Sequence, residues 1–317
     1  MSVQAVSVTL NPAIDLTVAI DRLQPGQVHR ARSAHAIAGG KGINVAACLA
    51  DAGIATAALG VLGAGNAHAF DSLFATRGID DRCLRVPGDT RTNLKLVAAD
   101  SGDTTDINLP GLPLGAAELH AVGARLADLL RPGLPVVLSG SLPAGLAEDS
   151  WRVLQAQAAA AGARVLLDTS GAPLRAALAA PRAQLPFAIK PNRHELEDWA
   201  GTPLRTTAEV LAAARALLAS GIALVAVSLG TDGALFVRGE QALLARPPQL
   251  AGGSSVGAGD AMVAGLVAAL LADADLATCA RQATAFAVAT LGSGAARRLP
   301  RDQVDGIAAA VRIEPLP

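Results

Sequence analysis

The sequence predicts an α/β fold, with a mostly parallel central sheet covered by helices on both faces. Three observations carry this. Short β-rich runs alternate with alanine-rich helical patterns over most of the chain, the runs are hydrophobic almost throughout, and two stretches break the alternation. Strand–helix alternation with strands buried on both faces is the pattern of parallel sheets. Strand candidates are Ala5–Leu10, Thr56–Leu59, Val136–Ser139, Arg164–Asp168, Phe187–Lys190 and Leu224–Ser228. Helix candidates between them are Asn44–Ala52, Ala67–Arg77, Ala116–Leu130, Ser150–Ala161, His194–Ala200 and Thr207–Ser220. After Leu235–Val237 the chain reads as mostly helical, over Ala258–Ala272, Leu276–Leu291 and Arg301–Val311. Residues 13–36 (Leu16, Val18, Ile20, Val28) and 91–109 (Leu94, Leu96, Ile107, Leu109) alternate like strands but have no helical partner. They are expected to form a small antiparallel sheet that projects as a lid from a single domain spanning residues 1–317.

Composition narrows the function. At 317 residues, 51% of them hydrophobic, the chain is long enough to bury a large core. Its mean hydropathy of +0.40 reflects alanine and leucine in helical patterns. The apolar run Ala261 to Ala272 is too short to span a bilayer. The N-terminal MSVQAVSVTLNP has no basic start and no apolar run with a cleavage site, which predicts a cytoplasmic protein with no membrane partner. A net charge of −1 gives no basic face for a nucleic acid. Cys48, Cys83 and Cys279 are too far apart for a disulfide framework or a zinc site, and Cys48 reads as core. Trp151 and Trp199 likewise read as packing. Lys41, Lys95 and Lys190 are the only lysines in an arginine-rich chain, which suggests positions that need a compact point charge.

The loop Ser255-Val256-Gly257-Ala258-Gly259-Asp260 leads straight into a helix whose apolar residues Met262, Val263, Leu266, Val267, Leu270 and Leu271 recur at helical spacing. A glycine-rich helix entry exposes unpaired N–H groups at the positive end of the dipole, which suits a phosphate. An aspartate there is either a helix cap or a base beside that anion site. Phosphoryl transfer needs both an anion site and a base, and the loop offers both. Other phosphate motifs fail. Gly39-Gly40-Lys41-Gly42 has glycine where a Walker loop has Ser or Thr, and Met262 stands where a dinucleotide fingerprint needs its third glycine. Gly140-Ser141 lacks the frame of a hydrolase elbow. Arg91 and Lys95, four residues apart in a presumed strand, face one side and fit a shared anion.

Nine segments in order now carry a family resemblance: Thr9–Asp15 (TLNPAID), 39–46 (GGKGINVA), Thr90–Lys95 (TRTNLK), Thr105–Asn108 (TDIN), Ser139–Pro143 (SGSLP), Asp168–Ser170 (DTS), Lys190–Leu196 (KPNRHEL), Ser228–Gly230 (SLG) and Val256–Asp260 (VGAGD). The whole chain resembles the ribokinase-like (PfkB) carbohydrate kinases, in the branch that phosphorylates ketohexose phosphates. The resemblance implies a three-layer α/β sandwich with a β-sheet lid, and ATP and Mg²⁺ as cofactors. Exposed strand edges in the lid invite pairing between subunits, so a homodimer through the lid is expected. It implies Asp260 as the base, with Gly257, Ala258 and Gly259 as the anion hole. It implies Asp15, Gly40, Lys41, Asn44, Arg91, Lys95 and Ser141 on the sugar phosphate, Arg91 and Ser141 holding the phosphate already present. It implies Lys190, Asn192, Ser228, Gly230, Gly233, Ser255 and Val256 around the nucleotide, and Asn192 with Glu195 around Mg²⁺, largely through water. Gly26–Arg30 (with His29 where asparagine is usual), the stretch 190–201 and the C-terminal VRIEPLP favour fructose 1-phosphate as substrate, converted to fructose 1,6-bisphosphate. Tagatose 6-phosphate and fructose 6-phosphate stay open, as does a silent sugar-phosphate sensor on the same fold.

Overall fold

The computed structural model describes residues 2–248, 256–291 and 298–317. In chain order the elements are β1 (Ala5–Thr9), β2 (Ala13–Ile20), β3 (Ser33–Gly39), α1 (Lys41–Asp51), β4 (Thr56–Gly63), α2 (His68–Arg77), β5 (Asp80–Asp81), β6 (Leu84–Val86), β7 (Thr92–Ala98), β8 (Thr104–Asn108), α3 (Ala116–Ala127) and β9 (Pro135–Ser139). There follow α4 (Ser150–Ala160), β10 (Arg164–Asp168), α5 (Gly171–Leu178), β11 (Ala188–Ile189), α6 (Arg193–Ala200), α7 (Thr207–Ser220), β12 (Leu224–Ser228), β13 (Ala234–Arg238), β14 (Gln241–Arg246), α8 (Ala258–Leu271), α9 (Leu276–Ala289), α10 (Arg301–Ala310) and β15 (Arg312–Leu316).

The large sheet runs β15-β14-β13-β12-β11-β10-β9-β1-β4-β5, with β6 beside β4. From β12 across to β5 all pairs are parallel, and β13, β14 and β15 add an antiparallel edge. Alternate residues of each central strand enter opposite cores, as a period of two requires. Val6, Val136, Val165, Val225 and Val237 pack with Val122, Trp151, Leu174 and Val210 on one face. Ala5, Val137, Leu166, Leu224 and Phe236 pack with Val45, Met262, Phe286 and Val304 on the other. From β9 the strands step one way to β12, whereas from β1 the chain steps the other way to β4. The order therefore reverses between β1 and β9, and crevices at such switch points, beyond the strands' carboxyl ends, are where ligands bind in open α/β sheets.

The second sheet runs β3-β2-β7-β8. It contains the expected lid segments, but it is not all antiparallel. The two hairpins β2–β3 and β7–β8 are antiparallel, and the central pair β2–β7 is parallel. Both central strands leave the large sheet side by side, joined at the root by Ile14 N–H donating to the Arg91 carbonyl at 2.8 Å, so they must run the same way. Register places Asp15, Thr17, Asn93, Lys95, Asp106 and Asn108 on one face, and Ile14, Leu16, Val18, Leu94, Leu96 and Ile107 on the other. At the root, Ile14 and Ala38 pack against a cluster of Ile43, Leu62, Phe70 and Phe74.

Other differences from the sequence reading have local causes. The helix expected from Asn44 begins three residues earlier, because Gly40 (φ 107°) turns the chain sharply enough to start α1 at Lys41. Helix α5 and strands β14 and β15 were not anticipated: α5 carries Pro173 in its first turn, and β15 carries Pro315, which an edge strand tolerates. Two glycines permit close layers. A Cβ on Gly42 would lie 2.2 Å from Thr9 Oγ1, so α1 sits directly on β1. A Cβ on Gly265 would lie 2.7 Å from Ala283 Cα, so α8 and α9 nearly touch backbone to backbone. Among the described residues no helix is long and apolar enough to cross a membrane. Gly265→Val is expected to cost about 1–3 kcal/mol by overpacking. The readout is a lower urea midpoint at unchanged slope, and an unmoved midpoint would contradict the packing described.

Candidate active site

The crevice is built from strand ends. Ser139 ends β9, Asp168 ends β10 opposite it in register, Lys190 follows β11, and Ser228 ends β12. On the β1 side, Asn11 Nδ2 donates to Ser141 Oγ at 3.0 Å, a bond that bridges the switch point. Two helices point their N-termini into the same space, α1 with Lys41 and Asn44 and α8 with Asp260.

Asp260 is the third residue of α8, which Gly257 starts in the left-handed region at φ 83°. Its carboxylate does not cap the helix; Oδ2 accepts a 2.8 Å hydrogen bond from Asn44 Nδ2 on α1. The cap alternative is thereby removed for this residue. Burial pushes the carboxyl up, and the Asp168 charge pushes it further. Asn44, Lys41 and Lys190 pull the other way, and the result is about 7. A carboxylate tuned near neutrality is well matched to accept a proton from a hydroxyl. The anion-hole candidates Gly257, Ala258 and Gly259 form the first turn beside it. Val256, just before them, is exposed, and Ser255 lies outside the described residues.

Asp168 was marked in sequence only as part of a motif, yet it organises the charges. It is 1% exposed, and two lysines meet on it: Lys190 Nζ at 3.2 Å from Oδ1 and Lys41 Nζ at 3.4 Å from Oδ2. Burial alone would raise its carboxyl, but the two ammonium groups more than offset that and hold it below its ordinary value. For Lys41, burial works against the charge, while Asp168, Asp260 and Glu195 outweigh it and raise the ammonium. Lys190 is buried, and a Cβ on Gly259 would lie 3.4 Å from its Nζ. That ammonium therefore stands beside the first turn of α8.

The small sheet supplies the next group. Asp15 on β2 accepts 3.0 Å from Asn93 Nδ2 on β7. A Cβ on Gly39 would lie 2.2 Å from Asp15 Oδ2, so the glycine makes room for this carboxylate next to Gly40. Burial raises the Asp15 carboxyl, against Asn93, Arg91 and Lys95. Arg91 and Lys95 do not meet on a common spot. Lys95 forms an ion pair across the hairpin with Asp106. Arg91 donates to the carbonyls of Asn11 (3.2 Å), Pro12 (3.3 Å) and Leu109 (3.3 Å), which clamps the root of the small sheet. Arginine has five N–H donors, so Arg91 keeps two for an anion. Because Arg91 precedes β7, its side chain is governed by this root and not by the strand's alternation.

On the far side, Asn192 and Glu195 lock each other as a capping box, Oδ1 accepting from Glu195 N–H and Oε2 from Asn192 N–H, both at 2.8 Å. Asn192 bridges Ser228 in parallel register, which puts the two side by side. Gly230 (φ 63°) opens the turn after β12, and Gly233 (φ 100°) closes it. A Cβ on Gly233 would strike the Ala245 carbonyl at 2.0 Å, so its glycine is required by the β13–β14 pairing. No group of three His, Cys, Asp or Glu side chains gathers among the described residues. A single carboxylate, Glu195, fits a cation that keeps most of its water and is held mainly by substrate phosphates, as Mg²⁺ is. Trp151 is fully buried and donates to the Gly140 carbonyl at 3.1 Å, and Cys48 is buried in α1, as expected of packing residues. Asp168, Asn93, Ser139 and Gly39 were missed as site residues. The signals for Asp168 and Ser139 were their place at the ends of predicted strands and inside two of the family segments.

A switch-point crevice with a small sheet at its side, a near-neutral carboxyl at a helix N-terminus and two lysines beside it suits a small-molecule kinase. Comparisons with known proteins agree. The model of the family described as pfkB family carbohydrate kinase matches residues 8–302. The chain is 67% identical to a 1-phosphofructokinase of Xanthomonas campestris pv. campestris, covering 100% of both chains. It is 46% identical to a 1-phosphofructokinase of Rhodobacter capsulatus, covering 100% of this chain and 99% of that one. The structure of phosphofructokinase-2 from Escherichia coli in complex with fructose-6-phosphate matches with a TM-score of 0.89 at 29% identity, over 97% of this chain and 99% of that one. The chain belongs to the PfkB family of carbohydrate kinases, and it is an enzyme that phosphorylates a sugar at the expense of ATP.

Ionisation of Asp260 opposes folding. Its folded value of about 7 lies above the ordinary 3.8, so its stabilising protonated form is complete below 3.8 and is lost as the pH rises through 7. Asp260→Asn is expected to melt above the wild type at pH 8, by a margin that narrows below pH 7 and closes near pH 4. Equal melting temperatures at both ends would contradict this environment.

Proposed function

We propose that the chain transfers the γ-phosphoryl group of ATP to the 6-hydroxyl of fructose 1-phosphate, giving ADP, fructose 1,6-bisphosphate and a proton. The observation that carries the chemistry is Asp260, a buried carboxyl near neutrality with one neutral donor, Asn44, and no ion pair among the described residues. The fructose 1-phosphate assignment is supported by the relatives' printed names at 67% and 46% identity over full length.

In this reading Asp260 takes the proton of the 6-hydroxyl as its oxygen attacks in line. The N–H groups of Gly257, Ala258 and Gly259 meet the charge on the transferred group, aided by Lys41 and Lys190. Asp15, with Gly40 and Asn44 nearby, accepts sugar hydroxyls, while the remaining donors of Arg91 and the exposed Ser141 hydroxyl hold the 1-phosphate. Lys95, committed to Asp106, acts at longer range through its charge. Asn192, Ser228, Gly230 and Val256 border the nucleotide. Mg²⁺, when bound, neutralises phosphate charge, and Asn192 and Glu195 are the residues to orient its water shell. The small sheet acts as a lid, and the enzyme works in the cytoplasm, where ATP is supplied.

The same sheet supports a homodimer. Leu16, Val18, Leu94 and Leu96 share its apolar face and are only half-buried, and Ile107 beside them is 44% exposed. A second copy presenting the same face is the self-complementary solution. Leu16→Glu with Leu94→Glu is expected to leave a monomer on sedimentation; an unchanged dimer would rule out this face.

Two measurements test the reaction. Asp260→Asn is expected to lose roughly a hundred- to ten-thousandfold in kcat while still binding ATP, the usual worth of a general base. In the wild type kcat/KM is expected to rise about tenfold from pH 6 to pH 8 as a base of pKa about 7 loses its proton. Comparing kcat/KM for fructose 1-phosphate, fructose 6-phosphate and tagatose 6-phosphate settles the acceptor. Failure of fructose 1-phosphate to be clearly preferred would overturn the substrate, and no ADP release with any of the three would leave a binding protein.

A further inference from the structure

Two carboxylates and two ammonium groups share one crevice, and they are not paired evenly. Both lysines go to Asp168. Asp260, 6% exposed in the same space, receives neither, and among the described residues it bonds only Asn44. In a low-dielectric site an ammonium group seeks the nearest carboxylate, and a carboxylate taken into an ion pair is a poor base. Something must therefore keep the lysines off Asp260.

We propose that Asp168 is a positioning residue for phosphoryl transfer: by drawing Lys41 and Lys190 onto its two oxygens it aims both at the transferred group and leaves Asp260 unpaired to act as base. This rests on the reading of Asp260 given above. The geometry suits the task. Asp168 is fixed by its place at the end of β10, where its carbonyl accepts from Gly140 N–H at 3.0 Å and its Oδ2 accepts from Ser139 Oγ at 3.4 Å. The lysines come from opposite sides, Lys41 from the first turn of α1 and Lys190 from the end of β11, with the Lys190 ammonium beside Gly259. Asp168 itself is too enclosed to meet a sugar, so its effect passes through the groups it holds. The charged and titratable groups facing Asp260 are Lys41 and Cys48 on α1, Asp168 on β10 and Lys190 after β11. Among them Asp168 is the one whose charge disfavours ionisation of Asp260 most.

The test is the pH profile of kcat/KM for Asp168→Asn and Asp168→Glu, measured with whichever of the three sugar phosphates the wild type turns over. Asp168→Asn keeps the shape but removes the charge, so the lysines turn to Asp260. Its kcat is expected to fall at least tenfold and its acid limb to move down by about one pH unit or more, the usual effect of a neighbouring charge. Asp168→Glu keeps the charge but displaces the lysines by a methylene, so kcat is expected to fall while the limb stays near its wild-type pH. A kcat within threefold of wild type in either variant overturns the proposal. So does a loss in Asp168→Asn with an unmoved limb, since that marks a merely structural role. If Asp260→Asn retains wild-type activity, the base assignment has failed instead, and that outcome is separate from either result at Asp168.

Discussion

The uneven division of charge at the end of the large sheet is the constraint on which the rest depends. Lys41 and Lys190 arrive from different layers and both settle on Asp168, while Asp260 keeps a single neutral partner among the described residues. Each of these positions needs a specific piece of backbone. β10 must end at Asp168, α1 must begin at Lys41 through the positive φ of Gly40, and α8 must begin at Gly257 in the left-handed region. The close layers secured by Gly42 and Gly265 hold those helix termini in place. A buried carboxylate without an ion pair is costly for stability. Here the cost falls on the residue whose proton affinity the reaction uses.

The crevice follows from topology. Parallel strands step outward in both directions from the β1–β9 boundary, so the loops there diverge and leave a space. The small sheet rises from the β1 side of that space with its polar face carrying Asp15, Asn93 and Lys95. Arg91 secures its root through three backbone carbonyls, which couples the strand that carries Asp15 to the end of β1. One arginine thus serves structure and retains donors for an anion.

Much of this was legible in the sequence, for physical reasons. The parallel core announced itself through unbroken hydrophobic strands, and Asp260 through two glycines at a helix entry. What was not legible depends on contacts between distant segments. Lys41 and Asp168 are 127 residues apart, and no local pattern says that a strand-end aspartate will gather two lysines. The spacing of Arg91 and Lys95 within a strand says nothing of Asp106 on the next one or of the carbonyls at the root, which these two side chains engage. The parallel β2–β7 pair escaped notice because hairpin logic sees only neighbours in sequence.

The most direct measurement is the titration of the Asp260 carboxyl itself, followed by carbon NMR on protein labelled at the aspartate side-chain carboxyl and assigned by its absence from Asp260→Asn. The account predicts that the carboxyl at position 260 titrates near 7. A carboxyl at position 260 that titrates near the ordinary 3.8 would contradict it.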